Sequence, residues 1–123
     1  MRKRLTKKER IEIYNKYNGH CAYCGKQIEL NAFHVDHINP VREMNGIMDN
    51  PENDTTDNLT PSCRSCNMRK GSGSVEFFRE QMERSVEVLR RDSVAFKFAE
   101  RYEQIQCTPH KVVFYFEKVG NNK

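Results

Sequence analysis

Two Cys-x-x-Cys pairs, CAYC at residues 21–24 and CRSC at residues 63–66, flank the segment HVDHI at residues 34–38. Four thiolates can form the tetrahedral shell that a structural Zn²⁺ prefers, and they then join distant parts of the chain. Between the two pairs, Asp36 and His37 place a carboxylate beside an imidazole. The pattern predicts two kinds of metal site, one that holds the scaffold and one that could do chemistry.

We predict that the four paired thiols bind a structural zinc ion, with Cys21, Cys24, Cys63 and Cys66 as its ligands. A disulfide framework is the alternative, but the chain has five cysteines, an odd number, and no apolar stretch that resembles a secretory signal. Reduced thiols in a cytosolic setting are therefore expected. A structural zinc contributes roughly 10–16 kcal/mol of apparent folding free energy, which a thin core needs.

The chain has 123 residues, of which 37% are hydrophobic and 31% charged, so one small domain is expected. Its longest apolar run, residues 112–116, is too short to span a bilayer, and no membrane role is predicted. The net charge of +4 is uneven, because residues 1–20 alone carry +5. A basic arm of this kind either binds nucleic acid phosphates or is a solvated, solubilising terminus.

The periodicity of the chain predicts its elements. Thr6 and Glu9 form a capping-box pattern that begins a helix, and Gly19 offers its C-terminal stop. A strand should end before Pro40, and residues 39–57 have no sustained period, so they are expected to be a long loop. Two helices should follow Ser74, the second with its apolar residues inward. The β-branched and aromatic run at residues 112–116 predicts a terminal strand.

The order and spacing of these motifs closely resemble the HNH endonucleases. The resemblance covers about residues 13–71 and rests on the pieces Cys21-x-x-Cys24, Val35-Asp36-His37-Ile38-x-Pro40, Asn58-Leu59, Cys63-x-x-Cys66-Asn67 and Lys70. It implies an α+β fold: a zinc-stapled ββα-metal core with an N-terminal helix and a C-terminal helical extension that ends in a short strand. The free-standing size is similar to that of small nucleases of phages and mobile elements, and this resemblance implies a location in the cytoplasm of a bacterium or of a phage-infected host cell.

Metal-dependent hydrolysis of DNA is the activity that the resemblance implies, with 5′-phosphate and 3′-hydroxyl ends. We predict that His37 is the general base, since a neutral imidazole can take a proton from water. Asp36 and Asn67 supply hard oxygen ligands, which suit Mg²⁺ or Mn²⁺, and the cation stabilises the leaving 3′ oxygen. Asn58 would tie the catalytic loop and orient the base. Taken alone, Asp36 could instead be a turn carboxylate and Asn67 a helix cap.

Double-stranded DNA is the expected partner, and basic residues near both ends of the core are expected to contact its phosphates. These are Arg2, Lys3, Arg4, Lys7, Lys8, Arg64, Arg69 and Lys70. The competing interpretation for each is a solvated surface. The sequence leaves open a homodimer or a larger nucleoprotein partner.

We divide the single domain into a basic arm and helix at residues 1–20, the nuclease core at 21–71, and an extension at 72–123 that packs on the core. Two other functions stay open. A non-catalytic zinc-ribbon DNA-binding module would keep the four cysteines and the basic arm but would not need Asp36, His37 and Asn67. An accessory subunit would use the extension to recruit a larger partner.

Overall fold

The computed structural model describes residues 4–120 and contains both helices and antiparallel strands, which confirms the predicted α+β class. In this range the strands are β1 (His34–His37), β2 (Arg42–Met44), β3 (Ile47–Asp49) and β4 (Leu59–Ser62). The α-helices are α1 (Lys7–Asn15), α2 (Arg64–Lys70), α3 (Val75–Glu83), α4 (Ser85–Asp92), α5 (Val94–Arg101) and α6 (Tyr115–Gly120). Short 3₁₀ turns cover Pro51–Asn53 and Thr56–Asn58.

In the sequence, the two cysteine pairs flank both strands of an antiparallel pair. β1 pairs with β4, so that Asp36 lies opposite Thr60 and His37 opposite Leu59. Helix α2 follows β4 after a single residue, Cys63, and packs against β1. Two strands and a helix therefore place the His-Val-Asp-His segment beside the residues that follow the second cysteine pair.

The segment at residues 39–57, predicted to be a long loop, contains a β-hairpin. β2 pairs with β3 in antiparallel register, and the two residues that join them, Asn45 and Gly46, have φ of +54° and +79°. Positive φ at both central residues is the geometry of the tight turn that Asn-Gly favours in hairpins. The prediction was wrong because this dipeptide signal was overlooked in a polar segment without an apolar period.

Helix α1 begins as its sequence predicts. The Thr6 hydroxyl accepts a hydrogen bond from the Glu9 amide, and the Glu9 carboxylate accepts one from the Thr6 amide, both at 3.1 Å. This reciprocal pair satisfies two backbone donors that the first turn leaves without partners. Ile13 is buried on the inner face of the helix, and α1 packs against β4. The predicted capping box is confirmed.

The described residues form two compact units. The first contains the residues up to Val75 together with those from Val113 onward, and the second is Glu76–Val112. Most of the buried apolar side chains lie in the first unit; the buried set is Ile13, Cys21, Ala22, Tyr23, Ile28, Phe33, Val41, Leu59, Phe78 and Phe114. The proposed packing of residues 72–123 on the core as part of a single domain stays a prediction.

The predicted C-terminal strand is not present in the structure. Residues 111–114 belong to no strand, and helix α6 starts at Tyr115. The amides of Tyr115 and Phe116 donate to the carbonyls of Tyr23 and Ala22, at 3.0 and 2.7 Å. These bonds satisfy the first donors of a helix, so tertiary contacts override the β preference of the side chains.

The second unit exposes side chains that the apolar pattern predicted to face inward. Val94, Phe98, Tyr102 and Ile105 are between 41% and 68% exposed. Phe98 and Tyr102 stack on each other with ring centroids 6.2 Å apart, and the Arg101 guanidinium covers the Phe98 ring at 4.9 Å. The helical period of α5 was correct, but a period cannot tell a core face from an exposed apolar face.

The capping box gives a stability prediction. Thr6→Ala removes the side-chain acceptor at the start of α1 and should lower the free energy of unfolding by about 1 kcal/mol. Thr55→Ala is the control, because Thr55 is exposed and precedes a 3₁₀ turn without a side-chain cap bond. Chemical denaturation of both variants measures the difference. Equal loss in the two variants would contradict the role given to Thr6.

Candidate active site

The four paired cysteines come together in the first unit. Their sulfur atoms all lie within 4.8 Å of one another, and Cys24 Sγ is 3.9 Å from Cys63 Sγ. A tetrahedral zinc with Zn–S bonds of about 2.3 Å has sulfur atoms about 3.8 Å apart. The predicted cluster is confirmed, and its size and soft ligands fit a structural zinc ion. Cys107 lies outside it.

Local backbone geometry presents each thiol to the cluster. In the first pair, the Lys26 amide donates to Cys24 Sγ at 3.4 Å. In the second pair, Cys63 is the N-cap of α2, and its sulfur accepts from the Cys66 amide at 3.4 Å. The Ala22 amide also donates to the Pro61 carbonyl at 2.9 Å. The first cysteine turn is thereby attached to β4 as well as to the second pair.

The thiols interact strongly with one another. A hydrogen bond from the Cys66 thiol lowers the pKa of Cys21 to about 4, with help from backbone groups and against the effect of burial. The pKa of Cys66 is raised, because its thiol donates that hydrogen bond and because it is buried. Burial also raises the pKa of Cys24. Zinc binding must therefore displace protons from the cluster.

A cavity of about 330 Å³ lies beside the strand pair in the first unit. Its lining includes Asp36, His37 and Asn67, the three residues predicted to form the catalytic site. Adjacent residues of a regular strand point to opposite faces, but β1 ends at His37, so both can border one space. Pro40, which was expected to end this strand, is also in the lining.

The Asp36 carboxylate is held by two buried donors. Its Oδ2 atom accepts a hydrogen bond from the Tyr23 hydroxyl at 2.6 Å and lies 3.0 Å from Lys70 Nζ. Lys70 also donates to the His37 carbonyl at 2.8 Å. Burial, and then the negative charge of Asp36, raise the pKa of Tyr23, so that its hydroxyl keeps its proton. Both of these contacts use Oδ2 of Asp36.

His37 is paired with an acidic side chain from the loop. Its Nε2 atom is 2.9 Å from Asp54 Oδ1, and the two side chains are only 13% and 16% exposed. A carboxylate can only accept a hydrogen bond, so the neutral imidazole carries its proton on Nε2. Nδ1 then has the free lone pair. In this tautomer Nδ1 can accept a proton, as a general base must.

Asn58 ties the ends of the loop together. Its amide oxygen accepts from the Asn39 amide at 2.9 Å. Its amide nitrogen donates to the carbonyls of Asn39 and Asn53, at 2.8 and 2.6 Å. The side chain thus bonds the backbone just after His37 to the backbone just before Asp54. These contacts fix the loop on both sides of the imidazole and leave Asn58 occupied as a structural residue.

The basic residues predicted to contact DNA occupy different settings. Arg2 and Lys3 lie outside the described residues. Arg4, Lys7, Lys8, Arg64 and Arg69 are exposed and reach solvent. Lys70 is 4% exposed, lies beside Asp36 and lines the cavity, and its contact with a DNA phosphate stays a prediction. His34 is half-buried on β1.

Tyr23 and Asp54 are site residues that sequence reasoning missed. Tyr23 stands between two cysteines, where an aromatic side chain suggests packing alone. Asp54 is one of several acidic residues in a polar segment, and nothing in its local sequence distinguishes it. Only the fold brings each of them to its partner, across 13 residues for Tyr23 and Asp36 and across 17 for Asp54 and His37.

Comparison with known proteins identifies the domain that contains this site. The HNH endonuclease family matches residues 21–73, so the chain contains an HNH endonuclease domain with a four-cysteine cluster. The resemblance noted from the motifs is confirmed. No curated protein matches the chain.

A solved structure shares the fold. It is the crystal structure of the type II-C Cas9 enzyme from Actinomyces naeslundii, with a TM-score of 0.51 and 17% sequence identity. The alignment covers 77% of this chain and 12% of the Cas9 chain. At this identity the likeness concerns the fold alone.

In the part of the chain that the structure describes, no helix has the length and apolarity to cross a bilayer.

The cysteine cluster predicts a strong dependence of folding on zinc. Cys66→Ser removes one of the four ligands and should reduce the zinc content. It should also lower the free energy of unfolding by a few kcal/mol, because a structural zinc site contributes roughly 10–16 kcal/mol in total. Metal analysis and thermal melting, with and without a chelator, measure both effects. Cys107→Ser is the control, since this thiol lies outside the cluster. A chelator that leaves the melting temperature of the unmodified protein unchanged would contradict the zinc assignment.

Proposed function

We propose that this protein is a metal-dependent endonuclease that hydrolyses phosphodiester bonds of double-stranded DNA. The observation that carries the proposal is the cavity bordered by Asp36, His37 and Asn67, inside a domain of the HNH endonuclease family. β1, β4 and α2 would then be the ββα-metal motif that the resemblance implies. The volume of about 330 Å³ leaves room for a phosphate group and several waters.

His37 acts as the general base in this proposal. Asp54 accepts the Nε2 proton, so Nδ1 can take the proton of the water that attacks phosphorus. As the imidazole becomes positively charged, the Asp54 carboxylate at 2.9 Å stabilises that charge. The in-line attack forms a bond between phosphorus and the water oxygen and breaks the bond between phosphorus and O3′, which leaves a 5′-phosphate and, once O3′ has taken a proton from solvent water, a 3′-hydroxyl.

The catalytic cation is assigned to Asp36 and Asn67. A Mg²⁺ or Mn²⁺ ion, when bound there, would supply positive charge to the phosphate and to the leaving 3′ oxygen. The donor set fits such an ion, because a carboxylate and an amide oxygen are hard ligands and a partial protein shell leaves positions for water and substrate. Lys70 and Tyr23 hold Oδ2 of Asp36, so that its other oxygen is kept in one orientation.

Exposed cations would attract the DNA backbone to this domain. Arg64 and Arg69 lie on α2, the helix that also carries Asn67, and Arg64 borders a second cavity with Lys26. Arg4, Lys7 and Lys8 add positive charge at the N-terminal end of α1. Contacts of this kind give affinity and salt dependence without reading the base sequence.

A nicking assay tests the proposal directly. His37→Ala should slow Mg²⁺-dependent cleavage of a supercoiled plasmid by about 10²–10⁴-fold, because the attacking water loses its base. His110→Ala is the matched control, since His110 is exposed and belongs to the second unit. DNA binding without cleavage in either the unmodified protein or its variants would favour the non-catalytic zinc-ribbon module instead.

The pairing of His37 with Asp54 gives a second kinetic prediction. Asp54→Asn places an amide that can donate to Nε2, which favours the tautomer with its proton on Nδ1 and removes the accepting lone pair. We expect kcat to fall roughly 10²-fold or more with little change in DNA affinity. Asp57→Asn, in the same segment but exposed, is the control. Unchanged kcat for Asp54→Asn would show that catalysis does not depend on the Asp54 carboxylate.

A further inference from the structure

We propose that Tyr23 is a positioning residue for the Asp36 carboxylate, and that the C-terminal segment Val113–Gly120 keeps Tyr23 in place. A stretch outside the family match would then help to build the cation site. This inference deepens the proposed function and rests on its assignment of Asp36 as a cation ligand. It also gives a role to a segment that appeared from its sequence to add packing only.

The Tyr23 hydroxyl makes a contact that packing alone does not require. Tyr23 is 3% exposed and Asp36 is 8% exposed, and their 2.6 Å hydrogen bond is shielded from water. A buried carboxylate with one donor fewer can rotate or draw in water. A phenylalanine would fill the same space without fixing the carboxylate. The hydroxyl is therefore the group that distinguishes positioning from packing.

The C-terminal segment surrounds the Tyr23 ring. Phe114 is 3% exposed and meets Tyr23 edge to face, with centroids 5.5 Å apart at 82°. Phe116 contacts the same ring at 6.1 Å and 89°. The amide of Tyr115 donates to the Tyr23 carbonyl at 3.0 Å, so both backbone and ring are held. Edge-to-face pairs fix ring orientation as well as adding burial.

The cysteine turn is shaped to receive this segment. Gly25 has φ of +79°, and a Cβ at this position would lie 3.1 Å from Cδ2 of Tyr115. The missing side chain lets the Tyr115 ring approach the turn. Within the first unit, contacts therefore run from the C-terminal segment through the cysteine turn and Tyr23 to Asp36.

The test measures cation affinity separately from cleavage. Mn²⁺ binding to the zinc-loaded full chain is followed by electron paramagnetic resonance, and the Mg²⁺ concentration for half-maximal nicking is determined in parallel. Tyr23→Phe should weaken Mn²⁺ binding and raise the Mg²⁺ requirement by about 10-fold, the usual effect of removing a partner of a ligand. The zinc content should not change.

Tyr14→Phe is the matched control. Its hydroxyl donates to the Ile28 carbonyl at 2.9 Å, so this variant also loses one phenol hydrogen bond, but none to Asp36. A purely structural role for Tyr23 would lower the melting temperature of both variants and leave Mn²⁺ affinity the same in both. That result would overturn the inference.

A double-mutant cycle tests the C-terminal segment without truncating the chain. Phe114→Leu removes a ring that packs against Tyr23. When Tyr23 is present, this substitution should weaken Mn²⁺ binding several-fold. In the Tyr23→Phe background it should have little effect on Mn²⁺ binding. Equal losses in both backgrounds would show that Phe114 does not act through Tyr23.

The two readouts separate this inference from the proposed function. If the protein binds Mn²⁺ in a Tyr23-dependent manner but does not cut DNA, the positioning role stands and the nuclease proposal fails. If the protein cuts DNA, and Tyr23→Phe changes neither the Mn²⁺ affinity nor the Mg²⁺ concentration for half-maximal nicking, the nuclease proposal stands and the positioning role fails. Absence of Mn²⁺ binding in the unmodified protein would overturn the assignment of Asp36 and this inference with it.

Discussion

The convergence of four thiols on one point, in a cluster whose size fits a zinc ion, is the constraint on which the first unit depends. Cys24 and Cys63 are separated by 39 residues in sequence, yet their sulfur atoms lie 3.9 Å apart. Closing such a loop costs conformational entropy that the small apolar core of this unit would offset only in part. Both partners of the β1–β4 pair, and the cavity residues Asp36 and His37, lie inside the closed loop. The cysteine cluster therefore fixes the frame in which the site forms.

A buried ion pair between Asp36 and Lys70 joins β1 to α2 within that frame, at a position where apolar packing would be usual. The Asp36 and Lys70 side chains are 9% and 1% exposed, and removing two charges from water is costly unless hydrogen bonds satisfy them. Tyr23 and the His37 carbonyl provide those bonds. Three apolar side chains of the same volume in place of Tyr23, Asp36 and Lys70 would give a similar free energy of unfolding. The polar arrangement is retained where an oriented carboxylate is useful, which agrees with a ligand role for Asp36.

Local signals in the sequence predicted much of this unit and little of the rest. The capping box at Thr6 and the cysteine cluster depend on a few residues at fixed spacing, so they could be identified without the fold. The strand predicted at residues 112–116 failed because the cysteine turn offers its carbonyls to helix α6. The pairs formed by Tyr23 and Asp54 link elements distant in sequence, and only tertiary structure reveals such contacts.

Asp54, the hydrogen-bond partner of His37, is held by hydrogen bonds more than by apolar contacts. The segment that carries Asp54 is bound through the Asn58 side chain to Asn39 and through Lys16 Nζ to the Thr56 carbonyl, at 2.7 Å. Residues 50–58 have exposed or half-buried side chains. Segments with few buried apolar contacts open locally at a lower free energy than the whole fold. The orientation of His37 is therefore more easily lost than the frame held by the cysteine cluster, and a substitution in this loop can disturb the His37–Asp54 pair while the domain stays folded.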